Sequence, residues 1–283
     1  MFRVASDISD AYESGRHHAT HFVKVWPSTF SIANAWWDAT MAGNFPRASY
    51  YPGDDYKFTL YPSAEHLSFW HGGNVSPMQK ILRNSFIHAS GGNLAPSRYI
   101  LCDYLGFYTG ISWETGEVQS FNNAITLPRY TDGKGVRAFI VQLFGNNASA
   151  QYTINYRNTA DQDVNSRLQF GNALGTGGLQ HGNTAAVYQP FVDLNHGDSG
   201  MKRINSLTVS SLGAGIAVIV LVKVIAEFTY RDKTLIAPAE VDYMIDKNEF
   251  PIIKDGACLN TIFTSVGNPT GLFLKGYLEF IWG

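Results

Sequence analysis

The feature that most constrains the fold is a series of short apolar and aromatic segments that begins at Tyr99 and continues to the last residues. Each segment is rich in β-branched or aromatic residues and is bounded by Gly, Asn, Asp or Pro, as strands separated by turns are. Seven or more closely spaced strands, with no helices alternating between them, predict a mainly β chain built as an antiparallel sandwich or barrel. A jelly-roll-like sandwich fits the strand count best. The segments are YILCDYLGFY, VRAFIVQLF, AQYTINYRN, INSLTVSS, GIAVIVLVKVIAEF, NTIFTSV and LFLKGYLEFIW.

Two of these segments also predict how their faces are covered. In QYTINYRN, Tyr152, Ile154 and Tyr156 alternate with polar residues, which predicts one buried and one solvated face. The segment GIAVIVLVKVIA does not alternate, so we expect both of its faces to be covered.

The N-terminal third reads differently, as short helices joined by irregular segments. Residues 28–43, STFSIANAWWDATMAG, begin with hydroxyl caps and end at a glycine, and residues 76–90, SPMQKILRNSFIHAS, carry a capping box and an apolar stripe at helical spacing. We therefore divide the chain into two parts. Residues 1–95 form a short helical and irregular extension that packs on an antiparallel β-sandwich domain, residues 96–283.

Composition argues against several function classes. Charged residues make up only 16% of the 283 residues, whereas about 25% is usual. The formal net charge is −2 and no basic run of five residues occurs, so no nucleic-acid partner is expected. The most apolar segment, residues 214–228, is shorter than the about 20 residues of a membrane-spanning helix and is interrupted by Lys223. With no apolar signal-peptide core at the N-terminus, we expect a soluble chain without a membrane partner.

The two cysteines carry little functional information. Cys102 and Cys258 both lie in apolar contexts, and no CxxC motif is present. Two buried free thiols are favoured over a disulfide, and neither a zinc ribbon nor a redox motif is supported.

Two short motifs could suggest catalysis or metal binding. In HHATH, His17 and His21 would share one face of a helix, but no HExxH motif is present, so structural or surface histidines are favoured over a metal site. In LNHGDSG, Ser199 lies near Asp198 and His196, but it precedes a predicted strand rather than standing at a nucleophile elbow. A turn held by local Asp or Ser hydrogen bonds is the stronger interpretation.

Carbohydrate chemistry stays open as an alternative. Glycosidases need two carboxylates a few ångströms apart, and sugar-binding proteins use exposed aromatic platforms. Aromatic residues in a sandwich are more often core or subunit contacts. The acids that could serve are Asp54, Asp55, Glu114, Glu117, Asp161 and Asp163.

The stretch TLPRYTDGKGVRAFIVQLF, residues 126–144, combines several charges and glycines with a strand pattern. Its glycine spacing matches neither GxGxxG nor a P-loop, and no helix follows, so phosphate binding is weakly supported. We interpret TDGKG as a tight turn that feeds the strand VRAFIVQLF. Arg129 and Arg137 would then lie near a sheet edge, free to pair with acids of a neighbouring chain. On this hypothesis, replacing both arginines by alanine weakens assembly.

Four blocks of the sequence resemble a group of tailed-bacteriophage virion structural proteins. The order and spacing of the blocks extend over about the last 180 residues, and the segment AWWDATMAGNFPRASYY adds a weaker match near the N-terminus. The resemblance identifies a relative rather than a chemical site. The blocks are ITLPRYTDGKGVRAF (125–139), YQPFVDLNHGDSGMKRINSLTVSS (188–211), APAEVDYMID (237–246) and GYLEFIWG (276–283).

The resemblance implies a non-enzymatic structural role in the virion, with the protein assembled in the host cytoplasm. It implies a capsid decoration, cement or minor head protein whose partners are the major capsid protein or other virion proteins. It also favours a homo-oligomer, with a trimer preferred, and requires no cofactor, metal or catalytic residue. A neck, collar or tail protein, a carbohydrate-binding or carbohydrate-cleaving protein on the virion exterior, and a cellular lectin-like protein stay as alternatives. The candidate interface residues are Arg129, Arg137, Trp36, Trp37 and Trp282.

Overall fold

The computed structural model describes residues 5–25, 35–41, 50, 55–61, 67–90, 97–121, 125–145, 150–171, 178–180, 190–230, 239–265 and 273–283. Within these ranges the chain forms one α-helix, one 3₁₀ turn and seventeen β-strands. Their bounds are α1 (Ala5–Glu13), β1 (His17–Val25), β2 (Trp36–Asp38), the 3₁₀ turn (Ala39–Met41), β3 (Phe58–Leu60), β4 (Lys80–Ser90), β5 (Ser97–Ser112), β6 (Val118–Ser120), β7 (Val136–Phe144), β8 (Gln151–Asn158), β9 (Asp163–Asn165), β10 (Gln169–Phe170), β11 (Leu179–Gln180), β12 (Met201–Ser211), β13 (Ile216–Tyr230), β14 (Ala239–Asp242), β15 (Ile252–Ile253), β16 (Leu259–Ser265) and β17 (Phe273–Trp282).

The strands are organised in three antiparallel sheets. The central sheet has the order β11-β7-β13-β5-β16-β2, with β3 beside β5. The terminal sheet, which holds the first and last strands, has the order β1-β17-β4-β14, with β15 beside β4. The β8–β12 sheet has the order β10-β8-β12-β6, with β9 beside β8. The prediction of a mainly β, antiparallel chain is confirmed, whereas the jelly-roll arrangement stays a prediction.

The central sheet packs against both of the other sheets, which gives the sandwich its layers. One buried cluster joins the central sheet to the β8–β12 sheet and includes Leu221 and Tyr152. A second cluster joins the central sheet to the terminal sheet and includes Leu101 and Phe280. A third, which includes Val220, covers the opposite face of the central sheet. Burial of this apolar surface is the main force that holds the layers together.

The face predictions for two strands are confirmed. In β13, the odd-numbered residues from 217 to 221 lie in the cluster shared with the β8–β12 sheet, and the even-numbered residues from 218 to 222 lie in the cluster on the other face. In β8, alternate residues from Tyr152 to Asn158 are buried while those between them are partly exposed. A strand covered on both sides therefore lacks alternation, and a strand with one solvated face shows it.

The predicted helix over residues 76–90 is wrong, because this segment forms strand β4. Strand β4 pairs with β17, and the register slips where Asn84 and then Leu82 face successive residues of the partner. At the bulge, Arg83 has no partner residue in β17, and the alternation of inward and outward side chains along β4 changes. Ile81, Leu82 and Ser85 are consequently all buried, and this spacing imitates the stripe of a helix.

The predicted helix over residues 28–43 is also not formed in the part that the structure describes. Strand β2 and the 3₁₀ turn occupy its described residues, and residues 28–34 and 42–43 lie outside the description. The helix that does form, α1, lies nearer the N-terminus and was not predicted. No helix in the described ranges is long and apolar enough to cross a membrane.

Strands from both parts of the predicted division share the same sheets. In the terminal sheet, β1 and β4 both pair with β17, and in the central sheet β2 pairs with β16. The position between residues 95 and 96 therefore does not separate one sheet from another. Cys102 and Cys258 are buried and free, as expected.

Candidate functional site

Three chain segments meet at a cavity of about 520 Å³ beside the start of β7. The segments are the loop of residues 125–135 that enters β7, the loop of residues 67–79 that enters β4, and the connection between β15 and β16. The charged lining residues are Lys80, Arg129, Lys254 and Asp255, and the apolar lining includes Met78 and Ile252. We refer to this site as the basic cavity.

The turn TDGKG shapes one wall of this cavity and has the predicted form. The amide of Gly133 donates to the carbonyl oxygen of Tyr130 at 2.8 Å, and Gly133 has a left-handed φ of 74°. A Cβ at Gly133 would lie 2.8 Å from the carbonyl oxygen of Met201, so the turn needs glycine both for its conformation and for space. The interpretation of this stretch as a turn that feeds a strand is confirmed.

Arg129 has a partner inside its own chain, so the expectation that it is free at a sheet edge is wrong. Its guanidinium donates from Nε to Oδ2 of Asp103 at 2.7 Å and from a terminal nitrogen to Oδ1 at 2.6 Å. The amide of Cys258 also donates to Asp103 at 2.9 Å. Burial raises the pKa of the Asp103 carboxyl, and the bonds and charge of Arg129 oppose that rise. Replacing Arg129 by alanine therefore tests folding before it tests assembly.

Lys80 is the most unusual group of the site because its ammonium is buried. Its side chain is 1% exposed, and Nζ donates to Nδ1 of His71 at 2.9 Å and to the carbonyl oxygen of Gly73. Nε2 of His71 lies 3.1 Å from the carbonyl oxygen of Ala257, so this nitrogen carries the ring proton. Burial lowers the pKa of Lys80 to about 8, although the charge of Asp255 raises it. Burial and the charge of Lys80 lower the pKa of His71 to about 4.

The lysine therefore gives its hydrogen bonds to neutral acceptors, while one acid of the cavity is used to hold a loop. Asp255 accepts hydrogen bonds from the backbone amides of Val75 at 2.9 Å and Ser76 at 3.1 Å. These bonds fix the loop that carries His71 and leads to Lys80. Because the Asp255 carboxylate binds backbone amides rather than a lysine, it offsets the positive charge of the cavity only in part.

Tyr130 forms the remaining wall between two lysines. Its ring centroid lies 4.2 Å from Nζ of Lys254 and 5.5 Å from Nζ of Lys223. Both distances are within the range of cation–π attraction. Its hydroxyl is buried and has no hydrogen-bond partner among the described residues. The Tyr130 ring therefore brings the ammonium groups of Lys223 and Lys254 to one wall of the cavity.

The positive charge that the cavity offers to a ligand comes mainly from its lysines. The charge of Arg129 is neutralised by Asp103 beneath the cavity floor, and Asp255 balances one lysine. Lys254 is exposed and lines the cavity. The arrangement can bind a carboxylate or another oxyanion that carries an apolar group, which would contact Met78 and Ile252.

A second cavity, of about 480 Å³, has the opposite charge. It is lined by Asp55 and Glu114 together with Phe144 and Ile216, and we refer to it as the acidic cavity. The Asp55 carboxylate packs over Gly110, where a Cβ would lie 2.5 Å from Oδ1 of the acid. Glu114 accepts a hydrogen bond from the amide of Gly215 at 3.3 Å. Among the acids considered for carbohydrate chemistry, Asp55 and Glu114 line this cavity, Asp161 and Asp163 meet at Arg157, and Asp54 lies outside the described residues.

Arg137 has partners inside its own chain, so the expectation that it is free to pair with a neighbouring chain is wrong. Its place near a sheet edge stays a prediction, because β11 pairs with β7 only at Ile140 and Val141. Strand β7 lies between β11 and β13. The Arg137 guanidinium lies 5.7 Å from the ring of Phe191 and donates to the carbonyl oxygen of Val192 at 3.3 Å. Its contacts hold residues 191–192 onto the central sheet.

The three tryptophans proposed as interface residues differ from one another. Trp36 and Trp37 are 0% and 3% exposed, so they are core residues of the chain rather than surface contacts, which corrects their assignment. Trp282 is partly exposed, and its ring lies 5.5 Å from Nζ of Lys80. Its role between chains stays a prediction.

The histidine motif lies in a strand and the serine motif in a turn. His17 and His21 lie on strand β1 rather than on a helix, and the described residues contain no group of three or more potential metal ligands. In LNHGDSG, the amide of Asp198 donates to the carbonyl oxygen of Asn195 at 3.1 Å, and Ser199 contacts the hydroxyl of Thr159. The interpretation of this motif as a turn is confirmed, but local Asp or Ser hydrogen bonds do not hold it. The Asp198 side chain accepts from Tyr156 and Asn158, which lie on strand β8.

Sequence reasoning found part of the basic cavity and missed the rest. It singled out Arg129 and the TDGKG turn, but it assigned Lys80 to a helix and gave no role to His71 or Lys254. The register of β4 against β17 and the position of residues 252–258 bring these side chains together, and neither is encoded in a local spacing. The unusual density of charge around Arg129 was the one available signal.

No protein-family model matches this chain, and no curated protein matches it either.

Proposed function

We propose that the chain is a non-enzymatic structural protein of a tailed-bacteriophage virion, and specifically a capsid decoration or cement protein. Support comes from the place of the four resembling blocks in the fold. Residues 125–139 form the wall of the basic cavity and enter β7, and the described part of residues 188–211 ends in β12. The third block contains β14 and the fourth lies in β17. The blocks thus contribute strands to all three sheets.

The observation that carries the proposal is the pairing of exposed apolar side chains with charged cavities. Met78 and Ile252 are 40% and 48% exposed beside the basic cavity, and Phe144 and Ile216 are 69% and 42% exposed beside the acidic cavity. Large apolar side chains grouped in this way are typical of protein–protein contact sites. A decoration protein needs only such contacts, because affinity accumulates from contact area and from repetition over the lattice.

The proposal is tested by counting this chain in purified particles of the phage that encodes it. Quantitative mass spectrometry gives the ratio of the chain to the major capsid protein, and electron cryo-microscopy locates it. Hundreds of copies spread over the head support a decoration or cement role. A dozen or fewer at one vertex assign it instead to the neck, collar or tail. Absence from particles overturns the structural proposal.

A cement role also predicts a mechanical phenotype. Particles assembled without the chain should release their DNA at a lower temperature than complete particles, and adding the purified protein should restore the release temperature. If particles that normally carry many copies release their DNA at the same temperature without the chain, the chain decorates the capsid but does not cement it.

The acidic cavity supports a weaker second candidate, a carbohydrate-cleaving protein on the virion exterior. Asp55 and Glu114 line one cavity, as the paired acids of a glycosidase do. Both side chains are exposed, however, whereas the general acid of such enzymes is usually a buried carboxyl. Hydrolysis of host surface polysaccharide that is lost in the Asp55→Asn and Glu114→Gln variants would establish this alternative, and no hydrolysis by the wild-type chain would reject it.

A further inference from the structure

We propose that the chain associates head to tail with copies of itself, with the acidic cavity of one copy docking against the basic cavity of the next. This inference rests on the proposed function in one respect, since it specifies how a structural subunit contacts its own kind. The occupant of the basic cavity is then a pair of carboxylates from a second copy. The argument comes from the placement, charge and apolar rims of the two sites.

The two cavities lie at opposite ends of the same strands. Beside the basic cavity, the register of the central sheet aligns Asp103 of β5 with Lys223 of β13 and Val136 of β7. Beside the acidic cavity, the same three strands align Ser112 with Ile216 and Phe144. From Val136 to Phe144 the backbone of β7 rises about 26 Å. A copy that docks at one end therefore leaves the other end accessible to the next copy.

The charges of the two sites are complementary. In the basic cavity, Asp103 neutralises Arg129. The positive charges of Lys80 and Lys254 then exceed the single negative charge of Asp255. The acidic cavity has Asp55 and Glu114, and no cationic residue is among its described lining. Attraction between such sites speeds encounter and fixes orientation, and it discriminates against contact between two sites of the same sign.

The apolar rims supply the contact area that the charges orient. Met78 and Ile252 flank the lysines of one site, and Phe144 and Ile216 flank the acids of the other. Burial of these four exposed side chains on docking removes apolar surface from water at both ends.

The two surfaces are different, so the contact is heterologous and its geometry decides whether assembly ends. A heterologous contact gives a ring when the rotation between copies closes, and an open filament when it does not. The trimer that the sequence resemblance favours is one such ring. Two-fold pairing through identical surfaces would instead bring like charges together.

A charge-exchange experiment tests this arrangement. The variants are Lys254→Glu, which reverses an exposed charge at the basic cavity, and Glu114→Lys, which reverses one at the acidic cavity. Each variant alone should lose self-association, with a dissociation constant at least roughly tenfold weaker, because like charges then face each other. An equimolar mixture of the two should associate again in alternating order, since each contact then joins two native sites or two reversed sites. A ring of three copies would keep one contact between copies of the same variant, so recovery there is measured as formation of the mixed dimer. Light scattering coupled to size-exclusion chromatography and sedimentation velocity, over a range of concentration and salt, measure the result.

Two controls separate charge from structural damage. Glu114→Gln keeps an oxygen that can accept the Gly215 amide, so it should weaken association less than Glu114→Lys does. Lys275→Glu reverses an exposed charge on β17, away from both cavities, and should leave association unchanged. The circular dichroism and melting temperature of each variant confirm that it is folded.

Several results would overturn the inference without touching the proposed function. These are a wild-type chain that stays monomeric at every concentration, single variants that associate like the wild type, or a mixture that fails to recover. If the chain is abundant in particles but shows one of these results, it contacts other virion proteins and not itself. If the mixture recovers but particles lack the chain, head-to-tail association stands and the virion role falls.

Discussion

Two fully buried aspartates flank strand β16, and they are stabilised in different ways. Asp38 of β2 lies beside Ile262, and Asp103 of β5 lies beside Leu259. Within the described part of the chain, Asp38 accepts hydrogen bonds only from uncharged donors, namely the amide and hydroxyl of Thr40 and the phenols of Tyr50 and Tyr104. Asp103 is bound by the two-pronged guanidinium of Arg129.

The difference shows which charges are structural and which are available for binding. A carboxyl surrounded by hydroxyl groups needs no cation, and burial raises the pKa of Asp38 although its hydrogen bonds oppose that rise. Burial raises the pKa of Asp103 as well, but there the charge and hydrogen bonds of Arg129 favour the ionised carboxylate, which in turn neutralises the arginine. Arg129 lines the basic cavity but has its charge balanced from below, so Lys80 and Lys254 are the residues through which a ligand would be attracted.

The most direct test of this difference is to replace each aspartate by asparagine. The larger loss of stability is expected at Asp103. Asp103→Asn removes the charge that balances Arg129 and places an amide donor against the guanidinium. We expect the free energy of unfolding to fall by about 3–5 kcal/mol, as it does when one partner of a buried ion pair is removed. Urea denaturation followed by tryptophan fluorescence measures the loss.

A double variant shows whether the loss comes from the unpaired charge. Asp103→Asn combined with Arg129→Met leaves no buried guanidinium without a counter-ion, so it should be more stable than Asp103→Asn alone. If the double variant loses the sum of the two single losses, the pair is not coupled and the comparison fails.

At Asp38 the matched substitution should cost less, about 1–2 kcal/mol, since the donors around it are hydroxyl groups that can rotate. The amide oxygen of Asp38→Asn can accept from Thr40 and Tyr104, and its NH₂ can donate to the oxygen of Tyr50. The pH dependence has a defined sign. The pKa of Asp38 is higher in the folded than in the unfolded state, so its contribution to stability is present at low pH and is lost as pH rises. The difference in stability between Asp38→Asn and the wild type should therefore be smallest at high pH. A loss of stability equal to that of Asp103→Asn would show that the two aspartates are not stabilised differently.

Lys80 extends the comparison to a buried cation. Its pKa is about 8 in the folded chain, against a usual value of about 10.4. Between these values the unfolded chain holds more protons at this lysine, so the free energy of unfolding should rise with pH across that window. The rise should be on the order of 1–3 kcal/mol, since each unit of difference in pKa corresponds to about 1.4 kcal/mol. In the Lys80→Met variant, the free energy of unfolding should no longer rise with pH across this window.

The slope with pH, not the absolute stability, is the readout for Lys80. Methionine also removes the hydrogen bonds to His71 and Gly73, which lowers stability at every pH. Lys275→Met, an exposed lysine of β17, is the matched control and should keep the wild-type slope. A slope in Lys80→Met equal to that of the wild type would show that the amine is hydrated in the folded chain.

The fold was predictable where burial leaves a regular pattern. The lack of alternation in β13 and the alternation in β8 follow directly from covering two faces or one, and both were predicted from residue types. Strand β4 was not, because a bulge against β17 buries Ile81 and Leu82 together and gives the segment a helical spacing. A bulge depends on the partner strand, about 190 residues away in the chain, and no local pattern encodes it.

The candidate site was less predictable than the fold for the same physical reason. Arg129 was recognised as a charged residue near a turn, but its partner Asp103 lies within the apolar segment YILCDYL. The pairing follows from the register of β5 with β13 and from the loop before β7. Lys80, His71 and Asp255 likewise meet through the packing of separate segments, and a buried lysine has no signature in sequence.

The smallest effect on stability is expected on the solvated face of the β8–β12 sheet. There Arg157 pairs with exposed acids, and no buried charge depends on it. Arg157 lies 3.3 Å from a carboxylate oxygen of Asp161 and 3.2 Å from one of Asp163, and both acids are largely exposed. Each acid also has another partner, since Lys202 binds Asp161 at 2.8 Å and Asn205 binds Asp163 at 2.9 Å. Arg157→Gln should therefore shift the melting temperature by less than roughly 2 °C at low salt, and the shift should vanish at high salt because exposed pairs are screened. Thermal denaturation at both salt concentrations measures it. A large, salt-insensitive loss would mean that ion pairs in this chain stabilise irrespective of burial, and the distinction between Arg129 and the surface arginines would then have no physical basis.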